Sequence, residues 1–304
     1  MKKYIALAFI AIINLSALSA AQTTKSDTIS IQEQETISVI ETAMQAATAG
    51  PASIKFLDEG TLELPKGYLF IPSKEAAALM INIGNTVGSD FIGMIMPAVE
   101  GNNSFIAIEF IKSGYIRNED AKNWNVDDLL STIKKNTEIA NKNRIAKNIK
   151  PIDVIGWAEV PKYDNSRHHL VYSILLKDVG ASTEEGTLVN YNAYSFGRSG
   201  FFIFNLVTLE SQLSTDKLYA KKILADLHYN KGKSYEDFDE AKDEVAAYGL
   251  AALITGVAAK KLGFFALAAV FLAKAWKFAI LICLLFIGKL KDVAVSLFKR
   301  CLRR

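Results

Sequence analysis

From Val245 to Gly288 the chain is almost wholly apolar, and that stretch limits what the rest can be. A helix across a bilayer needs about 20 mainly apolar residues. No uncharged run here is that long: Val245–Ala259 has 15 residues, Leu262–Ala273 has 12 and Phe278–Gly288 has 11. Lys274 and Lys277 interrupt the middle. Within Gly263–Gly288 there are fourteen Leu, Ile, Val and Phe residues. They favour insertion by roughly 4–8 kcal/mol, against roughly 5–7 kcal/mol for two central lysines. The near balance permits a span and makes its lysines costly to leave against lipid. At about 100° per residue, Lys274 and Lys289 fall within about 40° of Lys260, with Lys277 about 100° round. The expected arrangement is one span near Leu262–Gly288, with Lys289, Lys291, Lys299 and Arg300 holding its end in the cytoplasm. Its polar face, Lys260, Lys274 and Lys277, then meets a second copy or another membrane protein. The other physical solution lays the tail helices in the lipid interface.

The N-terminus reads as an export signal: MKK, then the apolar YIALAFIAIINLSAL, then small residues around Ser19 and Ala21. Three segments result: a signal peptide over 1–21, an exported body over 22–244 and a membrane anchor with a basic cytoplasmic tail over 245–304. Charge divides along the same lines. Ten of the 35 basic residues but only one of the 32 acidic ones lie from Val245 onward. Setting aside Lys2 and Lys3, the body keeps 23 basic and 31 acidic residues, a net of −8. A body of that sign is a poor partner for nucleic acid. Both cysteines, Cys283 and Cys301, lie in the tail, so the body is held by packing without disulfides.

Along the body, Ile37, Ile40, Met44 and Ala47 mark one face of a first helix, stopped at Gly50-Pro51. A second helix follows Ser73 as its expected cap. A third opens at Asn125, with Asp127 and Asp128 in its first turn and Val126, Leu129, Leu130, Ile133 and Ala140 on one face. A fourth lies in LESQLSTDKLYAKKILADL. Between them stand extended segments, among them DFIGMIMPAV, SFIAIEFIKSGYI, DVIGWAEV and HHLVYSILL, and GRSG joins TLVNYNAYSF to FFIFNLVTL as a hairpin. The fold class is α+β, a largely antiparallel sheet with flanking helices, plus the C-terminal membrane helix or helices.

Chemistry is sparsely signalled. There is no phosphate-binding GxxxxGK[ST] or GxGxxG, and Gly197-Arg198-Ser199-Gly200 does not meet GxSxG. No motif asks for a cofactor. His168 and His169 are adjacent in an expected strand and point to opposite faces, so they cannot share one ion, and no metal site is expected. The weak catalytic candidates are His168, Asp164, Arg198 and Tyr191: Asp164 orienting the His168 base, Arg198 clamping an anion. The alternative is structural, with Asp164 capping a turn, Tyr191 packing in the sheet and Asn192 satisfying backbone groups. Acidic EDFDEAKDE, residues 236–244, reads as a solvated face.

Several phrases occur together and in order: LPKGYLFIP (Leu64–Pro72), SGYIRNEDAKNW (Ser113–Trp124), GWAEVPKYD (Gly156–Asp164), VNYNAYSFGRSG (Val189–Gly200), KGKSYEDF (Lys231–Phe238) and YGLAALITGVAAKKLG (Tyr248–Gly263). In these the chain resembles an uncharacterised bacterial family of membrane-anchored proteins, domain of unknown function 2167. The family has a tryptophan where this chain has Tyr172. The resemblance implies a signal, an exported domain and a C-terminal anchor in the cytoplasmic membrane of a two-membrane bacterium, and it implies no activity. The expected function is an envelope interaction or sensing module with its main domain in the periplasm; the alternative is a tethered periplasmic hydrolase using Asp164 and His168.

Overall fold

Period-two alternation of apolar residues builds two antiparallel sheets. A computed structural model describes residues 31–256, apart from 84, 86, 100, 101, 103, 147, 148 and 181–185. The signal segment and the tail with Lys260, Lys274 and Lys277 lie outside the described residues. Among those described, no helix is long and apolar enough to cross a membrane.

The strands are β1 (Thr48–Ala49), β2 (Ala52–Phe56), β3 (Gly60–Leu64), β4 (Tyr68–Pro72), β5 (Phe91–Pro97), β6 (Phe105–Ile111), β7 (Ile152–Asp164), β8 (His169–Asp178), β9 (Leu188–Phe196), β10 (Phe201–Leu209) and β11 (Leu227–Tyr229). The larger sheet has eight strands in the order β1-β4-β5-β6-β10-β9-β8-β7, and the smaller has three, β11-β3-β2. Every pairing is antiparallel. The helices are α1 (Ile31–Ala46), α2 (Ser73–Asn82), α3 (Val126–Ala146), α4 (Leu213–Ala225) and α5 (Leu250–Ile254). The body is therefore α+β, with a large antiparallel sheet and flanking helices.

Adjacent strand residues serve opposite faces. On one face Phe70, Ile95, Ile106, Tyr191, Phe202 and Phe204 pack against Phe56, Leu62 and Leu64 of the small sheet and Tyr219, Ile223 and Leu224 of α4. On the other, Leu69, Ile71, Met94 and Met96 pack against Ile40, Ala43 and Met44 of α1 and Ala76 and Leu79 of α2. At the far end of the sheet α3 lies on β7, burying Leu129 and Ile133, and Trp157 donates its indole N–H to the Val126 carbonyl at 3.2 Å. Ala140, expected on the buried face, is exposed.

The caps divide. Asn125 Oδ1 accepts the backbone N–H groups of Asp127 (2.9 Å) and Asp128 (3.3 Å), as an N-cap should. Asn125→Ala is expected to cost about 1 kcal/mol, measurable as a shift of the urea midpoint at unchanged m-value. Ser73 does not cap α2. The residue flanking that helix is Pro72, and the Ser73 hydroxyl instead donates to the Phe91 carbonyl at 2.8 Å, tying the helix start to β5.

Residues 245–255, read from sequence as part of the tail, pack on the body, and the compact unit runs to Thr255. Leu250, Leu253 and Ile254 are buried. Leu250 and Ala251 donate their N–H groups to the carboxylate of Asp120, 130 and 131 residues earlier. Gly249 is small for that reason: a Cβ there would stand 2.6 Å from Asp120 Oδ2.

Candidate functional site

The turn joining β7 to β8 is built by Asp164. Its Oδ1 accepts the Ser166 N–H at 2.8 Å, the Ser166 hydroxyl at 2.7 Å and the Arg167 N–H at 3.3 Å. Hydrogen bonds from Ser166 hold the Asp164 carboxyl below the usual carboxylate range. The turn delivers His168 at φ +50°, outside strand geometry.

His168 and Asp164 share no hydrogen bond. The His168 Nδ1 is 3.1 Å from the Tyr163 hydroxyl, its Nε2 is 3.0 Å from Glu236 Oε1, and its ring stacks on Tyr235 with centroids 4.0 Å apart. Asn118 Nδ2 donates to the Tyr163 oxygen at 3.1 Å, so both ring nitrogens of His168 and the phenol beside it are engaged. Burial, the largest cause, pushes the Tyr163 phenol up, so it remains a donor.

Arg198 is equally occupied. Its Nε and Nη2 donate to the two oxygens of Asp243 at 2.7 and 3.0 Å, and its Nη1 to the Gly232 carbonyl at 3.3 Å. A guanidinium paired in this bidentate way is not free to clamp a substrate anion. The same pairing holds the Asp243 carboxyl below its usual range. Asn192 donates to the carbonyl of Asn190 at 3.2 Å. Tyr191 lies in the core beneath α4. The four candidates do not converge on one site.

What His168 and Arg198 do hold is the segment leading toward the tail. Residues 230–255 form a strap across the ends of β6, β7 and the β9–β10 hairpin. Tyr235 donates its hydroxyl to the Ile116 carbonyl at 2.7 Å. The Tyr115 ring stands between Tyr235 and Phe238, with centroid distances of 4.3 and 3.9 Å. Tyr115 N–H donates to the Glu244 carbonyl at 2.8 Å, and Ala246 N–H returns to the Tyr115 carbonyl at 2.9 Å. Lys233 Nζ meets Glu59 Oε1 at 3.1 Å, and the Ser199 hydroxyl reaches the other oxygen of that buried carboxylate at 3.3 Å. The acidic run thus supplies contacts as well as solvated surface: Glu236 and Asp243 are partners that sequence reasoning missed, because their mates lie 68 and 45 residues away.

A different feature opens where β7 and β8 run past the end of α4. A cavity of about 280 Å³ is lined by Lys162, Arg167, His169, Val171, Tyr191 and Lys221, among others. Lys162 is paired in register with Val171, and His169 with Ser195, which puts them on the α4 face of the sheet. Burial is the chief reason that the His169 imidazole is depressed to about 4, with Arg167 and His168 adding to it and Asp164 opposing. His169 is therefore neutral at pH 7.

No curated protein matches the chain. Among solved structures, a cyanobacterial PsbP protein (CyanoP) from Synechocystis is similar at 10% identity, over 69% of this chain and 99% of that one, with a TM-score of 0.36. The Ran-binding protein Mog1p of Saccharomyces cerevisiae is similar at 10% identity, over 63% of this chain and 100% of that one, with a TM-score of 0.31. Neither likeness bears on what this chain does. One protein family matches residues 48–286, from the first strand to beyond the strap, and the chain belongs to that family, described as protein of unknown function (DUF2167).

Proposed function

We propose that this chain is a membrane-anchored envelope protein whose exported domain is a non-enzymatic interaction or sensing module. The domain sits on the outer side of the cytoplasmic membrane, in the periplasm, and the C-terminus lies in the cytoplasm. The observation that carries the reading is the use made of the polar residues: His168 and Arg198 are bound to Glu236 and Asp243 of the strap. The side chains most suggestive of catalysis instead fasten the domain to the segment that enters the apolar tail. A hydrolase built on Asp164 and His168 would need the two in contact, and they face different partners.

Photocrosslinking tests the proposal. With the crosslinking residue in place of Trp276, between the two tail lysines, illumination of cells is expected to give a protein adduct, either a second copy or another membrane protein. The adduct should be lost in the Lys274→Leu, Lys277→Leu double variant. Labelling of lipid alone would overturn the partner contact and make the tail a plain anchor.

A further inference from the structure

The cavity over β7 and β8 has the composition of a ligand site, and none of its lining residues belongs to the strap. Lys162, Arg167 and Lys221 stand at its edge, and none of them forms an ion pair among the described residues. The neighbouring lysines of α4 are engaged: Lys217 pairs with Glu159 and Lys222 with Asp226. The single carboxylate in the lining is Asp164, and one of its oxygens is already taken by the turn. Three free cations gathered around one hollow make a local positive field on a body whose net charge is −8.

The floor is of another kind. Val171, Leu224 and Ala225 give it apolar walls, and Tyr191 lies fully buried with a hydroxyl that has no hydrogen-bond partner. Ser173, directly opposite Tyr191 in the β8–β9 register, is also fully buried with an unpartnered hydroxyl. Buried hydroxyls are nearly always paired, but both of these are closed to solvent, so neither is offered to the cavity. Burial, reinforced by Glu159, raises the Tyr191 phenol well above its ordinary value, so it stays a donor at any physiological pH. A cavity of about 280 Å³ holds a solute of about ten non-hydrogen atoms, at about 30 Å³ for each water-sized group.

We propose that this cavity binds a small organic anion: an apolar body against Val171 and Leu224, and a phosphate or carboxylate among Lys162, Arg167 and Lys221. Arg167 suits a planar or tetrahedral oxyanion through its forked donors, while the two lysines act as point charges. The apolar wall disfavours a bare inorganic ion.

Calorimetric titration of the full chain in phosphatidylcholine nanodiscs tests it, with phenyl phosphate and benzoate as probes and inorganic phosphate and phenol as controls. At least one probe is expected to bind saturably and about tenfold or more tighter than the controls. Arg167→Glu with Lys221→Glu should abolish that binding. Tyr191→Phe should leave that binding unchanged and the unfolding midpoint unchanged or raised, since it removes a closed-off hydroxyl that the protein itself does not satisfy. Binding of neither probe, or binding indifferent to the Arg167 and Lys221 changes, overturns the site. Repeating the titration in discs containing phosphatidic acid identifies the source. Competition makes the anion a lipid headgroup and no competition a free solute, and either result upholds the site.

Discussion

Replacing Gly114 by alanine is expected to speed amide hydrogen exchange at Tyr115 and Ala246 by about 100-fold, while amides in β9 and β10 change by no more than a few-fold. Gly114 has φ +85°, and a Cβ there would stand 2.7 Å from the Glu244 carbonyl oxygen. The backbone penalty for a side chain in left-handed space is about 1–2 kcal/mol, and a contact that tight with backbone adds about 1–2 kcal/mol more. A total of about 3 kcal/mol corresponds to about 100-fold in the opening equilibrium. The loss falls on the strap because the atom in the way belongs to it, and Tyr115 N–H to Glu244 and Ala246 N–H to Tyr115 are the bonds that close the junction. Uniform acceleration through β9 and β10 would show instead that strap and sheet unfold as one unit. Unchanged exchange would show that the strap is held elsewhere, by Arg198 and Asp243 or by Lys233 and Glu59.

Local signals in the sequence were enough for the elements and too short-ranged for the site. Asn125 before two aspartates starts a helix because the cap and the helix dipole act within one turn. GRSG makes a hairpin because Gly197 N–H closes on the Gly200 carbonyl three residues away. By contrast β11 is three residues long and shows no period. Its place beside β3 is decided by a pairing across more than 160 residues, Leu227 opposite Leu62. The acidic run after Tyr235 reads as solvent-facing because nothing in it names Arg198 or His168 as mates.

The histidines show how one backbone angle redirects a site. A continuous strand would have put His168 and His169 on opposite faces through simple alternation. The positive φ at His168 takes it out of the strand, and only His169 enters β8. Tyr191 was legible as an aromatic of interest, but the cations around it were not. Lys162 and Arg167 flank the β7–β8 turn, and Lys221 arrives on a helix 30 residues after Tyr191. Composition showed the negative body and could not show a positive hollow within it.

The cavity also fixes an acid dependence that can be measured without knowing the ligand. His169 titrates at about 4 in the folded chain and near its ordinary 6.5 when unfolded. Above pH 6.5 neither state takes the proton and nothing is lost. Between 6.5 and 4 the unfolded chain binds it and the folded chain does not, so stability falls as pH falls. The loss is about 2 kcal/mol at pH 5 and approaches about 3 kcal/mol near pH 4, at about 1.4 kcal/mol per unit. Lys162, Arg167 and Lys221 line the cavity with His169 and disfavour a further positive charge, Tyr191 is neutral, and Asp164 alone opposes them. The carboxyls of Asp164, Asp237 and Asp243 are held low, so their contribution is lost at more acid pH than this. Glu109, raised by burial, acts in the opposite sense and equally in any His169 variant. The unfolding free energy of wild type minus that of His169→Gln, followed from pH 7.5 to 4.5 in buffer free of phosphate and carboxylate, is therefore expected to fall by about 2.5 kcal/mol on acidification. Parallel curves would mean that His169 is as wet as an exposed histidine, and that the cavity wall does not exclude water. Saturating phenyl phosphate should shift the wild-type curve the other way, because a bound anion beside the imidazole favours its protonated form and narrows the window in which stability is lost.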